Sequence, residues 1–117
     1  MARETFADEF CRVFCDRASL RTEDLLDATL RVLYDIMAHP SYRHGFARRF
    51  RAVEEAAEAA TLAADDVAYS AYEYAYEDAF ELLDDICNRH GCAVVVDPDD
   101  PTVMLIVRQS ELSEWEF

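Results

Sequence analysis

Apolar residues fall at helical spacing along most of the chain and switch to continuous β-branched runs only near its end. Phe6, Phe10, Val13 and Phe14 recur three and four residues apart, which predicts an amphipathic first helix from Thr5 to about Arg17. Ser19 and Leu20 then form a short connection. Thr22 is placed to cap a second helix, Glu23 and Asp24 complement its positive end, and Pro40 forces a stop near Ala38. That helix carries two adjacent apolar stripes, Leu26, Leu30, Leu33, Met37 and Leu25, Val32, Ile36, so it is expected to be the central one.

After Pro40 and Ser41 a helical pattern runs to His90, where Gly91 supplies the left-handed residue that ends a helix. A single rod from Phe46 to His90 would extend about 67 Å, longer than a domain of this size is wide, so a break is expected near Thr61 to Asp66. Beyond Gly91, Cys92 to Val96 and Thr102 to Val107 are short β-branched runs joined by a turn-forming stretch of aspartates and prolines. The pattern therefore predicts an α+β, mostly helical fold: three to four helices and a C-terminal two-stranded antiparallel β-hairpin over about 92–107. With 117 residues, one domain spanning 1–117 is expected. Two strands alone are marginal in water, so the hairpin should lie on the helices or pair with a second chain, and a homodimer is expected. Ser110 to Phe117 is read as a last helical turn, with Trp115 and Phe117 packing back.

Composition adds a charge asymmetry to this picture. Apolar residues make up 52% and charged residues 31%, too apolar for a disordered chain. The 25 acidic residues face 11 arginines and no lysine, a net charge of −14 that disfavours direct binding to nucleic acid. The acidity is regional: residues 1–51 hold 8 acids and 9 arginines, whereas residues 52–117 hold 17 acids and 2 arginines. Uniform surface acidification of the halophilic kind would not leave the first half neutral. The start of the chain has no apolar leader core, and the longest aliphatic stretch, Val103 to Val107, is too short to span a bilayer, so a cytoplasmic protein without membrane contact is expected. Its four cysteines are then read as free thiols.

Eleven carboxylates occur between Glu54 and Asp85 with no basic residue among them. Asp66, Glu73, Glu77 and Asp84 step by seven, four and seven, and Asp78, Glu81 and Asp85 by three and four, so both sets form stripes along a helix. A negative charge every turn or so imitates a nucleic-acid backbone to a partner whose groove is lined with Arg and Lys. In size, charge and layout the chain resembles small phage-encoded inhibitors, including anti-CRISPR and anti-restriction proteins. That resemblance implies a non-catalytic inhibitor that occludes a basic, nucleic-acid-binding protein surface. The expected partner-binding residues are Asp66, Glu73, Tyr74, Glu77, Asp78, Glu81, Asp84 and Asp85. The competing reading of the same stripe is a solvated face that keeps a helical protein in solution.

An alternative function rests on other residues. Tyr69, Tyr72, Tyr76, Phe80, Leu83 and Cys87 form a line beside the acids, which either packs as core or offers an aromatic contact surface. An acidic adaptor, immunity protein or secretion chaperone would capture its partner through that face or through the hairpin edge. Arg43, Arg48, Arg49 and Arg51, beside Tyr42, Phe46 and Phe50, superficially form a phosphate-binding patch, but pairing with the chain's own acids is the simpler expectation. Cys11 and Cys15, one helical turn apart, could join Cys87, His90 and Cys92 around zinc, yet the spacing matches no paired knuckle. No metal or cofactor is expected. With two glycines, no phosphate-cradling loop or nucleophile elbow can form, and no Glu-x-x-His pair is present, so the chain is read as a non-enzyme.

Overall fold

Among the described residues the chain forms five helices and three strands, against the expected three to four helices and two strands, and two of the boundaries are set by contacts between distant segments. The computed structural model describes residues 6–15, 22–63, 65–100 and 103–114, with the side chains of residues 65, 66, 113 and 114 outside that description. The elements are α1 (Phe6–Phe10), β1 (Val13–Cys15), α2 (Thr22–Met37), α3 (Pro40–Arg43), α4 (Ala47–Leu62), α5 (Asp65–Arg89), β2 (Cys92–Val96) and β3 (Met104–Arg108). A six-residue 3-10 turn, Gln109–Glu114, follows β3. The fold is α+β and mostly helical, with its strands at the C-terminal end joined by one from the N-terminal segment. Trp115 and Phe117 lie outside the described residues.

The predicted first helix stops early. Phe6, Ala7 and Phe10 bury one face of α1, but Val13–Cys15 is extended and pairs antiparallel with β3, Val13 opposite Leu105 and Cys15 opposite Met104. Ile106 donates its backbone N–H to the Arg12 carbonyl at 3.0 Å. Phe6, Phe10 and Phe14 fit a helical period, yet Val-Phe-Cys equally fits a strand; an available β3 edge decides for the strand. The sheet therefore has three strands in the order β1-β3-β2, one more than the expected hairpin. β2 and β3 form that hairpin in register from Cys92 opposite Arg108 to Val96 opposite Met104. Its turn is held by the Asp99 N–H on the Asp97 carboxylate at 2.9 Å and by the Asp97 N–H on the Val103 carbonyl at 2.9 Å.

The long helical pattern breaks where length alone demanded it. Ala63 turns to extended backbone, its N–H still reaching the Ala60 carbonyl at 3.3 Å, and α5 restarts at Asp65. Two aspartates then occupy the first turn of α5, where the helix dipole favours negative charge. α4 and α5 pack antiparallel, and α5 also lies against α2 and β2, so α5 takes the central place expected of α2. Ala75, Ala79, Leu82, Leu83, Ile86 and Cys87 on α5 are wholly buried, facing Leu33 and Ile36 of α2 and Phe50 and Val53 of α4 within one core. Thr29, the one buried polar side chain among the described residues, donates to the Leu25 carbonyl at 2.8 Å and so carries no unpaired hydroxyl into that core. Gly91, at φ +73°, ends α5 in the left-handed region, and its carbonyl accepts the Gln109 N–H at 2.9 Å. No described helix is long and apolar enough to cross a membrane.

Candidate functional site

α5 is a 25-residue helix, about 37 Å long, that buries its alanine, leucine and isoleucine side chains. Its carboxylates fall on the opposite face. Glu73, Glu77, Asp78, Glu81 and Asp85 are exposed and Asp84 is half-buried, while the Asp66 side chain lies outside the described residues. Tyr74 stands among them with 72% of its surface exposed, which leaves its ring free for contact.

The two acidic stripes flank one solvent face without forming a single site. Ser70, Glu73, Tyr74 and Glu77 line a shallow depression of about 250 Å³ toward the N-terminal half of α5. Asp78 and Glu81 line a separate groove of about 240 Å³ with Leu82 and with Arg49, Ala52 and Val53 of α4. Asp85 is withdrawn from the free stripe, because its carboxylate accepts from Arg49 at 2.8 Å. Among the described residues, Glu73, Glu77, Asp78, Glu81 and Asp84 make no ion pair. Neighbouring carboxylates at i, i+4 on a helix repel by a few tenths of a kcal/mol per pair, so this face carries an internal cost that its own arginines do not relieve.

The aromatic line runs from solvent into core. Tyr69 is exposed, Tyr72, Tyr76 and Phe80 are half-buried, and Leu83 and Cys87 are fully covered. The Tyr69 hydroxyl lies beside Glu73, whose carboxylate, as acceptor and as negative charge, pushes the phenol pKa up. Tyr76 is raised mainly by burial, its hydroxyl donating to the Met104 sulfur at 3.8 Å. Exposure thus falls along the line, from the open ring of Tyr69 to the covered side chains of Leu83 and Cys87.

The arginine cluster departs from the expected pairing. Arg49 alone of the four meets a carboxylate among the described residues; Arg43, Arg48 and Arg51 are exposed without an ion pair. Arg51 precedes Glu54 and Glu55 by three and four residues, but Glu54 instead accepts the Tyr34 hydroxyl at 2.9 Å. Two other arginines pair far along the chain, Arg12 with Asp35 at 2.9 Å and Arg108 with Asp8 at 2.7 Å, while Arg31 pairs within α2 with Asp27 at 2.9 Å. A third concavity, about 260 Å³, brings Glu23, Asp24 and Asp27 of α2 against Ala57, Thr61 and Tyr72. The sequence pattern gives Glu23 and Asp24 a role only at the positive helix end, since the approach of these acids to α4 and α5 depends on tertiary packing.

The cysteines separate into different environments. Cys11 and Cys15 do not share a helix face, because the chain leaves α1 before Cys11 and Cys15 ends β1. The Cys11 and Cys92 sulfurs are 3.7 Å apart. His90 stacks on Phe6 at 4.7 Å between ring centroids and meets Tyr42 edge-on at 5.0 Å, and burial together with the Arg89 charge lowers its pKa. His39 occupies the N-cap position of α3 but makes no cap bond; its Nε2 lies 2.7 Å from Glu9 Oε1. Among the described residues no group of three or more His, Cys, Asp or Glu side chains is placed to hold a metal ion. Compared with known proteins, the chain matches no family model, no curated protein and no solved structure.

Proposed function

We propose that the chain is a non-catalytic binding protein that uses the solvent face of α5 to occlude a basic, nucleic-acid-binding surface of a partner protein. The observation that carries this reading is the set Glu73, Glu77, Asp78 and Glu81 on α5: four exposed carboxylates, none in an ion pair among the described residues. A groove rich in Arg and Lys gains from each of them and relieves their mutual repulsion, whereas water only screens it. Tyr74, exposed beside Glu73 and Glu77 at the N-terminal end of this set, supplies a large ring with a polar tip of the kind that anchors protein interfaces. Asp85, already paired with Arg49, and the half-buried Asp84 contribute less than their place in the sequence stripe implied.

The test is capture of partners from a lysate of the source cells at about 50 and 200 mM salt, using the parent chain and a variant with Glu73→Gln, Glu77→Gln, Asp78→Asn and Glu81→Gln. The expected result is a nucleic-acid-binding protein held at low salt, released at high salt, displaced by added nucleic acid and lost in the variant. A partner held equally by the variant, or indifferent to salt, would transfer the function to the aromatic residues or the β2 edge, as in an adaptor or secretion chaperone.

A further inference from the structure

The two thiols in contact at one side of the sheet come from opposite ends of the chain. Cys11 lies in the link between α1 and β1, and Cys92 opens β2, 81 positions later. Their sulfurs are 3.7 Å apart. Cys11 is half-buried and so open to a small reagent, while Cys92 has no exposed surface and directs its thiol toward the His90 carbonyl at 3.7 Å. Cys87 is equally covered and sits on α5, and Cys15 is buried at the end of β1. The four cysteines thus include one accessible thiol, and that thiol touches a second.

We propose that Cys11 and Cys92 are a reversible modification site, closed to an intramolecular disulfide by exchange with a low-molecular-weight disulfide such as oxidised glutathione. The Cys11 thiolate attacks one sulfur of the reagent, forming a mixed disulfide and expelling a glutathione thiolate. Cys92 then attacks the Cys11 sulfur, breaking the mixed disulfide and expelling the second glutathione. The two protons lost by the cysteines end on the two glutathiones, and the two electrons removed from the thiol pair reduce the reagent's disulfide. Exposure makes Cys11 the attacking group and its contact with Cys92 makes Cys92 the resolving one; burial and the neighbouring Cys11 thiol raise the Cys92 pKa, so the closing step is slow at neutral pH and quickens as pH rises. A disulfide needs sulfurs about 2.05 Å apart. Closing the 3.7 Å gap to that length requires the sulfurs to approach by about 1.7 Å, and Cys11 lies between elements and not inside one.

The full chain is titrated with mixtures of reduced and oxidised glutathione, quenched with a maleimide, and read by intact mass, peptide mapping and thermal unfolding. The expected product is one monomeric species lighter by two hydrogens, with Cys11 joined to Cys92 and a Tm higher by on the order of 10 °C, because a bridge across most of the chain restricts the unfolded state. Cys11→Ser should abolish the product, and Cys15→Ala should leave it in place. The peptide map of the parent decides the pairing without any variant. A stable glutathione adduct on Cys11 with no internal bridge, a bridge through Cys15 or Cys87, or a disulfide between two chains would each overturn the assignment.

Discussion

The two halves of α5 carry similar acidic sequences and meet opposite surroundings. From Asp65 to Glu77 the helix exposes Val67, Tyr69, Glu73, Tyr74 and Glu77, and its carboxylates find no arginine among the described residues. From Asp78 to Arg89 it buries Ala79, Leu82, Leu83, Ile86 and Cys87; Arg49 reaches Asp85, and the Arg89 guanidinium lies 4.5 Å from the centre of the Phe46 ring. The antiparallel course of α4 causes the difference. It sets the arginine-bearing start of α4 beside the end of α5 and the Glu-Ala-rich end of α4 beside the start of α5. Charge density read along the chain does not distinguish the halves, because neutralisation is a property of the neighbouring helix.

Core truncation should separate them most. Leu83→Ala or Ile86→Ala is expected to cost about 2–5 kcal/mol by urea unfolding, since each removes methyl groups from a fully packed site. Tyr74→Ala, in the free half, should change stability by no more than about 0.5 kcal/mol. A comparable loss from both substitutions would mean that the N-terminal half is also held in a core.

Alkaline unfolding gives the next largest contrast. Burial raises the pKa of Cys87, and burial with the Cys11 thiol raises that of Cys92 from 9.0 to about 12. In the unfolded chain these thiols ionise first, so the folded state binds more protons above pH 9 and stability must fall there as pH rises. The expected loss at pH 10 is about 1–3 kcal/mol, and Cys87→Ala should flatten the slope while Glu77→Gln leaves it unchanged. An equal slope in the Cys87→Ala chain would remove the thiol as its source.

Charge substitutions should move the halves in opposite directions. Arg49→Gln breaks a half-exposed pair and is expected to destabilise by about 0.2–1 kcal/mol, less at high salt. Glu73→Gln with Glu77→Gln should stabilise by a few tenths of a kcal/mol through relieved repulsion. Thermal unfolding at two salt concentrations reads both, and the same sign for the two variants would contradict the division. The smallest effect is acidic. His90 has its pKa lowered by burial, so the unfolded state takes up a proton first as pH falls below 6.5 and stability declines there; His90→Asn should flatten that limb in a urea series from pH 7 to 5.5.

Local signals made most of this fold legible. Pro40 ended α2, Gly91 ended α5, and the β-branched runs after it formed a hairpin, because each of these residues restricts its own backbone whatever surrounds it. The break at Ala63 has no such marker. It followed from length, since one rod of about 67 Å would exceed the longest dimension of the molecule, 51 Å. Val13–Cys15 is not legible in the sequence as a strand, because three residues have no periodicity of their own and the strand exists through partners at Leu105 and Met104, far along the chain.

The acidic site divides in the same way. That Glu73 and Glu77 fall on one stripe and Asp78 and Glu81 on another was determined by the sequence alone, for helical spacing is intrinsic to a helix however it packs. Which carboxylates stay free, which arginine takes Asp85, and that Cys11 meets Cys92 were decided only by tertiary structure. Ion pairs and thiol contacts extend over a few ångströms of space, while the residues that make them stand 36 and 81 positions apart, and only the packing of α4 on α5 and of the N-terminal link on β2 converts one distance into the other.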